Sequence, residues 1–392
     1  MDERWSAVGD ATRVVHAGQD PDPSTGAVVP PLHLASTFEQ DAVGVPRAGY
    51  EYARSGNPTR QGFESSLAAL ESPTSPAVGL AFASGLAASD TLLRTLLRPG
   101  DHVVLGDDVY GGTYRLLATS YRDWGVTFDQ VDLTRPDSLS AALRPGHTRL
   151  VWLETPSNPL LNVAPISHLA DLAHRAGAAV LVDNTFATPI LQKPLSLGAD
   201  VVLHSVTKYL GGHSDLVAGG LVLHEGELAE DLRRNQNALG AVAAPFDCWL
   251  AQRGLRTLAV RVAAHGVGAA RIAEALTEWS DVVEVLYPGL VSHPGHRTAL
   301  QQMTGFGGMV AFRPAGGADV ARRFAESTRI FTLAESLGGV ESLIEVPAAM
   351  THLSSAASRR PVPDDLVRLS VGVEDPEDLV ADLAEALARA TR

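Results

Sequence analysis

Two lysines occur in this chain, Lys193 and Lys208, among 31 Lys and Arg residues. Arginine can replace lysine as a solubilising charge. It cannot replace it as a nucleophile or base, because guanidinium keeps its proton where a desolvated amine can lose one. Lys208 lies in HSVTKYLGGHSD, with the hydroxyls of Ser205 and Thr207 just before it and two glycines after it. Such a grouping can hold a phosphate on the hydroxyls while the amine reaches a carbonyl, and the glycines give backbone that allows close approach. Lys193, in LQKPLSLGAD, has no such company and reads as a chance survivor.

Further polar residues stand just after apolar runs that read as strands. Ser84, Gly85 and Leu86 follow the run at 77–83 and open a helical stretch, where free N–H groups and the helix dipole suit a phosphate. Asn158 follows the run at 150–153, within ETPSNP, as an uncharged donor. Asp183 ends the run at 179–182, and an acid there is costly unless it is paired. Pairing with a cationic ring nitrogen is one use for it, and capping a turn is another. A carbonyl partner, a phosphate and a protonated pyridine nitrogen together describe pyridoxal phosphate, with Lys208 as the Schiff-base amine and Asp183 on the ring nitrogen. No GxGxxG follows a strand, which counts against a nicotinamide dehydrogenase.

These residues need strand ends to present them, and the pattern supplies strands. Apolar runs at 77–83, 102–105, 126–131, 150–153, 179–182, 201–203 and 216–223 alternate with helical stretches at 86–97, 112–124, 137–143 and 166–176. Runs buried on both faces and separated by helices indicate an α/β fold with a large, mostly parallel sheet. In an open sheet of this kind, ligands collect beyond the carboxyl ends of the strands. Asn57-Pro58 reads as an N-cap followed by proline at the first helical position, opening a helix through Leu70. Residues 1–57 are rich in turn formers and show no sustained period, so this arm is expected to lie on another subunit. Residues 58–245 form the large domain. Residues 246–392 form a smaller α/β domain, with a long helix at 255–279, strands at 282–286, 309–312, 330–333 and 366–371, and a last helix from Pro376.

The whole chain has 392 residues, 45% of them hydrophobic, and a formal net charge of -14. That balance disfavours a nucleic-acid partner. Cys248 is the only cysteine, so no intrachain disulfide can form. No apolar leader opens the sequence and no stretch suits a membrane span, which together predict a soluble, cytoplasmic protein.

VVLHSVTKYLGGHSD resembles the cofactor-lysine segment of the pyridoxal-phosphate enzymes of cysteine and methionine metabolism. YEYARSGNPTR, AFASGLAA, DDVYGGTYR, VDNTFATP, YPGLVSHPGH, FTLAESLGGVESLIEVPAAMTH and VRLSVGVED extend the resemblance over nearly the whole chain. The resemblance implies an aspartate-aminotransferase-like fold (fold type I), and a homotetramer built as a dimer of dimers with shared active sites. By the same resemblance Tyr52 and Arg54 reach a neighbouring subunit's cofactor phosphate, which Gly85, Leu86, Ser205 and Thr207 also bind. Tyr110 stacks on the ring, Asn158 lies near the ring hydroxyl, Arg368 pairs with the substrate α-carboxylate, and Ser336 positions lysine and substrate.

The resemblance also bears on the substrate, a small amino acid. Glu335 matches an acid set beside the distal amino group of cystathionine, and Glu51 and Arg115 match positions facing the substrate's far end. Two acids suit a second ammonium. The implied reaction is γ-elimination on L-cystathionine, giving cysteine, 2-oxobutyrate and ammonia, with Lys208, Tyr110 and Asp183 as catalytic residues. The alternative is γ-synthesis of cystathionine from an O-acylhomoserine and cysteine. Glu51 and Ser55 in EYARSGNPTR lean toward the lyase. A non-catalytic binding protein on the same fold should have lost Lys208, Asp183 or Arg368, and all three are present.

Overall fold

The computed structural model describes residues 3–353 and 358–392. The chain divides into two compact units, Met1–Leu96 with Asp200–Ala259, and Leu97–Ala199 with Val260–Arg392.

In the first unit the helix Pro58–Glu71 starts as the sequence predicts. Asn57 accepts from the Thr59 and Arg60 amides at 3.0 and 3.2 Å, a cap that stabilises the helix by about 1 kcal/mol. Its buried face carries Phe63, Leu67 and Leu70. The helix lies so close to the strand Ala77–Phe82 that a Cβ on Gly79 would come within 2.1 Å of the Glu64 carbonyl oxygen. Beside that strand run Gly219–His224 and then Val201–Ser205, each pairing antiparallel with its neighbour. The strand expected at 216–223 begins three residues late because Ala218 is drawn instead to Thr207, through its amide and its carbonyl. The helices Gly85–Leu96 and Glu227–Leu239 pack together, joined by a hydrogen bond from Asn235 to the Thr95 hydroxyl.

Two expectations for this unit change. The long helix expected at 255–279 forms as one piece but starts three residues late, at Leu258. Pro245–Leu255 is a separate helix, and Leu258–Glu278 follows it. Between the two helices Thr257 turns both its amide and its hydroxyl back to the Gly254 carbonyl, and Arg256 reaches Gln19. Threonine competes in this way with helix propagation. The arm is also less irregular than predicted, with a helix at Asp10–His16 and a two-stranded ribbon of Gln40–Ala42 and Val45–Pro46.

The second unit contains four parallel strands in the order Ala179–Asp183, Thr148–Glu154, His102–Gly106, Thr127–Val131. Val104, Val151, Leu153, Val180 and Val182 pack against Ile166, Leu169 and Ala173 of the helix Ile166–Arg175. This parallel set is what the buried apolar runs predict. The antiparallel strands of the first unit make the strand pairing as a whole mixed. The stretch expected to be helical at 112–124 forms as Gly111–Leu116 followed by a π turn at Leu117–Tyr121.

The same unit carries a five-stranded sheet in the order Val282–Leu286, Met309–Pro314, Val367–Ser370, Leu343–Glu345, Thr332–Leu333. The helices Gly317–Ser327 and Pro376–Ala390 cover it with Phe324, Leu379 and Leu383. The strand predicted at 330–333 shortens to two residues. Asp382 collects the amides of Arg329, Ile330 and Phe331 at 2.8 to 3.1 Å, so those N–H groups cannot join a ladder. Among the described residues no helix is long and apolar enough to cross a membrane, and no cluster of three or more His, Cys, Asp or Glu side chains suits a metal ion.

Candidate active site

In the first unit the chemistry rests on backbone. Ser84 ends the strand-to-helix turn, and its hydroxyl accepts from the Ala87 amide at 3.0 Å. The first amides of the helix Gly85–Leu96, those of Gly85 and Leu86, have no acceptor within the helix and face outward from its N-terminus. Ser205, the last residue of its strand, lies directly against Gly85. A Cβ on Gly85 would sit 3.3 Å from the Ser205 Cβ and 3.5 Å from its Oγ. Gly219, paired with Ser205 in the ladder, presses on the same peptide, since a Cβ there would come 2.2 Å from the Ser84 oxygen and 2.7 Å from the Gly85 nitrogen. These close contacts seat the Ser205 hydroxyl beside the first amides of the helix. A phosphate fits that cradle.

Thr207 makes a local contact. Its hydroxyl lies 3.1 Å from the Ala218 amide and 3.2 Å from the Ala218 carbonyl oxygen, which makes it the clasp of the loop carrying Lys208. Lys208 is half-buried; its amide donates to Ser205, and its carbonyl accepts from Gly212 at 2.7 Å. The next peptide is backed by another glycine. A Cβ on Gly254 would fall 2.3 Å from the Gly211 oxygen and 2.7 Å from the Leu210 oxygen. Tyr52 and Arg54 are exposed, with the guanidinium 5.7 Å from the tyrosine ring centroid. Glu51 and Ser55 are exposed beside them.

In the second unit the chemistry rests on side chains. Arg368, 2% exposed, donates to the Asn158 side-chain oxygen at 3.0 Å, to the Ser336 carbonyl at 2.7 Å, and pairs with Glu345 at 2.9 Å. Ser336 holds a left-handed backbone, φ 89°, that serine rarely adopts, and such strain is kept where the surroundings over-determine it. Thr351 donates to Glu345, and its hydroxyl also lies 2.8 Å from His352 Nδ1. His352 Nε2 sits 3.2 Å from the Asn158 carbonyl. Burial and then the charge of Arg368 depress the His352 pKa to about 4, so the ring is neutral at pH 7.

Tyr110 stands edge-on to His352, ring centroids 6.4 Å apart. Its ring folds over Gly112, where a Cβ would collide with it at 2.4 Å. Burial first, opposed by Arg115 and then supported by Glu154 and Glu335, raises its pKa and keeps the phenol protonated. Arg115 and Glu335, both exposed, are thereby placed near Tyr110. Asp183 accepts from the Thr185 amide and hydroxyl at 3.0 and 2.5 Å, which fixes its carboxylate. Opposite it in the ladder is Glu154, which holds the amides of Tyr110 and Asn158.

The second unit therefore brings Tyr110, Arg115, Asn158, Asp183, Glu335, Ser336 and Arg368 into one constellation. The first unit brings Gly85 and Leu86 to Ser205, with Thr207 and Lys208 on the adjoining loop. Sequence reasoning missed Glu154, Glu345 and His352. The signal for Glu345 was an acid inside the apolar run LIEV, and for Glu154 an acid closing the run LVWLE.

The pattern described as Cys/Met metabolism PLP-dependent enzyme matches residues 11–388. The chain is 56% identical to a protein of Mycobacterium tuberculosis named cystathionine gamma-synthase, covering 97% of each chain. It is 51% identical to a Dictyostelium discoideum protein named cystathionine gamma-lyase, covering 96% of this chain and 97% of the other. The crystal structure titled metB from Corynebacterium glutamicum superposes with a TM-score of 0.96 at 49% identity, covering 99% of each chain. With its phosphate cradle, its half-buried lysine and these relatives, the chain belongs to the pyridoxal-5'-phosphate-dependent enzymes of Cys/Met metabolism, within the group of cystathionine synthases and lyases.

Proposed function

We propose that this chain makes or breaks the Cγ–S bond of L-cystathionine. The observation that carries the reading is the neighbourhood of Tyr110. Glu335 lies close enough to influence the phenol, and the next residue, Ser336, gives its carbonyl to Arg368. A substrate would set its α-carboxylate on Arg368, joining Asn158 and Glu345 on the guanidinium, and turn a distal ammonium toward Glu335.

Pyridoxal phosphate, when bound, supplies an electron sink for charge developing at Cα. The phosphate would rest on the Gly85 and Leu86 amides and the Ser205 hydroxyl, and the ring nitrogen would meet Asp183. Thr207 would serve the phosphate indirectly, by closing the loop. Lys208 acts as the base that takes the Cα proton, and its four-carbon stem lets one amine serve more than one carbon. Tyr110, kept neutral by burial, is placed to donate its proton to the departing sulfur. Asp183, held by Thr185, keeps its orientation throughout.

Elimination from cystathionine is the direction read from the sequence. Synthesis from an O-acylhomoserine and cysteine is the second reading, favoured by the 56% identity to a protein named cystathionine gamma-synthase. One assay separates them. Cystathionine alone is supplied first, then O-acetyl- or O-succinylhomoserine with cysteine, and 2-oxobutyrate is compared with new thioether. Failure of the loaded protein to form either product overturns the proposal.

The assembly we propose is a tetramer in which Tyr52 and Arg54 complete a neighbour's phosphate site. Their exposure, together with that of Val28, Leu34 and Val43 in the arm, supports it. Mixed tetramers of Arg54→Ala and Lys208→Ala chains should regain part of the activity that each variant lacks alone. A monomer by light scattering would contradict it.

A further inference from the structure

Glu154 is the last residue of the strand Thr148–Glu154, and its carboxylate does not point into the strand's apolar packing. One oxygen accepts from the Tyr110 amide at 3.0 Å and the other from the Asn158 amide at 2.7 Å. These two amides belong to separate loops, one after the strand His102–Gly106 and one after Glu154 itself. A second half-buried acid repeats the pattern, since Asp108 accepts from the Ser157 hydroxyl and from the Asn162 side chain, the latter at 2.7 Å. The Tyr110 loop and the Asn158 loop are therefore stitched together twice by carboxylates. Glu154 makes the stitch nearer the ring-binding groups, and its ladder partner is Asp183.

We infer that Glu154 is a positioning residue whose two oxygens set the distance between the Tyr110 and Asn158 loops, and so fix the orientation of the cofactor ring that Tyr110, Asn158 and Asp183 receive. The inference rests on the reading of the cofactor site given above. Only glutamate has the required form. Aspartate is one carbon shorter and cannot span both amides. Glutamine has the length but one acceptor oxygen, and its amide nitrogen would face an N–H group. Glu154 keeps partial solvent access but is crowded by protein on its other sides. Burial, then the charge of Asp183, push its pKa well above the usual carboxylate range. A proton on the acid would turn one oxygen into a hydroxyl, a weaker acceptor, so the clamp is strongest while Glu154 is ionised.

The test compares wild type, Glu154→Gln and Glu154→Asp after loading with pyridoxal phosphate. The readouts are the dissociation constant of the cofactor, its induced circular dichroism in the visible band, and the thermal midpoint of the apoprotein. The expected result is a roughly tenfold weaker cofactor in each variant, as for loss of one charge-assisted hydrogen bond, with the induced dichroism at least halved at saturating cofactor. Unchanged affinity and dichroism overturn the inference, and so does a lowered thermal midpoint with both cofactor signals intact. If the variants do not fold, hydrogen exchange on the wild-type apoprotein decides. The Tyr110 and Asn158 amides should both be protected, and free exchange at either removes the clamp. Wild type that takes up no pyridoxal phosphate would sink the cofactor reading instead, a distinct outcome.

Discussion

The Lys208 region and the Arg368 region reach order by opposite means. Around Lys208 the order rests on main chain and glycine, with the Thr207 hydroxyl as clasp. Gly85, Gly219 and Gly254 each sit where a single added carbon would strike a neighbouring peptide or side chain. Around Arg368 the contacts are buried side chains in a charged network of Glu345, Asn158, Thr351 and His352. The difference fits the tasks proposed for them. An amine that must swing between atoms needs a firm backbone seat. A guanidinium that must recognise a planar carboxylate needs its plane preset.

If that contrast holds, the lysine region should fail when atoms are added and the arginine region when charge is removed. The largest effect comes from Lys208→Ala, which leaves the seat in place and removes the reacting amine itself. Turnover should drop by roughly 10³-fold or more, and borohydride should no longer fix the cofactor to the chain. A yellow variant with normal rates would end the assignment. Glu345→Gln comes next, because it leaves Arg368 buried without its carboxylate. Denaturant titration should show a loss of about 3–5 kcal/mol, with a raised KM for the amino-acid substrate. An unchanged midpoint would mean the network is not holding the arginine.

The third test uses pH. His352 has a folded pKa of about 4, below its ordinary 6.5, so the neutral ring contributes stability that is full above 6.5 and is lost as pH falls through 4. Its share of the acid loss should be up to about 3 kcal/mol by pH 4, and His352→Gln should remove that share. His293, also near 4, supplies a parallel slope that remains in the variant. Identical acid limbs for the two proteins would separate His352 from the network. The smallest effect is expected from Gly219→Ala, about 1–2 kcal/mol of overpacking strain. Here the cofactor's affinity should fall as the Ser84–Gly85 peptide shifts. Unaltered affinity would show that the cradle yields at no cost.

Much of the molecule could be read before the structure was known. Strand ends carrying Asp183 and Ser205 were legible because buried strands are apolar runs and a polar residue closing one stands out, and Asn158 was legible on the loop after such a run. The Asn57 cap was legible from Asn-Pro alone. Glu154 escaped although it closes a run as Asp183 does, because the cost of a buried acid was applied to one strand and not its neighbour. Glu345 and His352 escaped because Arg368 and Asn158, the partners that tie them to the site, lie far along the chain, and a pairing between distant residues leaves no local spacing. The turn at Arg256–Thr257 has no proline, and Gly254 before it lies inside the preceding helix. Its cause is a threonine hydroxyl competing for one carbonyl, which periodicity does not register.

The contact at Gly254 has a consequence for how the reactive amine is aimed. Main chain lies on main chain there, with no side chain between the helix Pro245–Leu255 and the peptide at Leu210–Gly211. Rotamer jumps cannot slacken such a joint, and thermal play at residue 208 is left to its own methylenes. A tilt of that helix would pass undamped to the anchor of the swinging arm, so distant substitutions along 245–255 should retune proton delivery without touching a single reacting group.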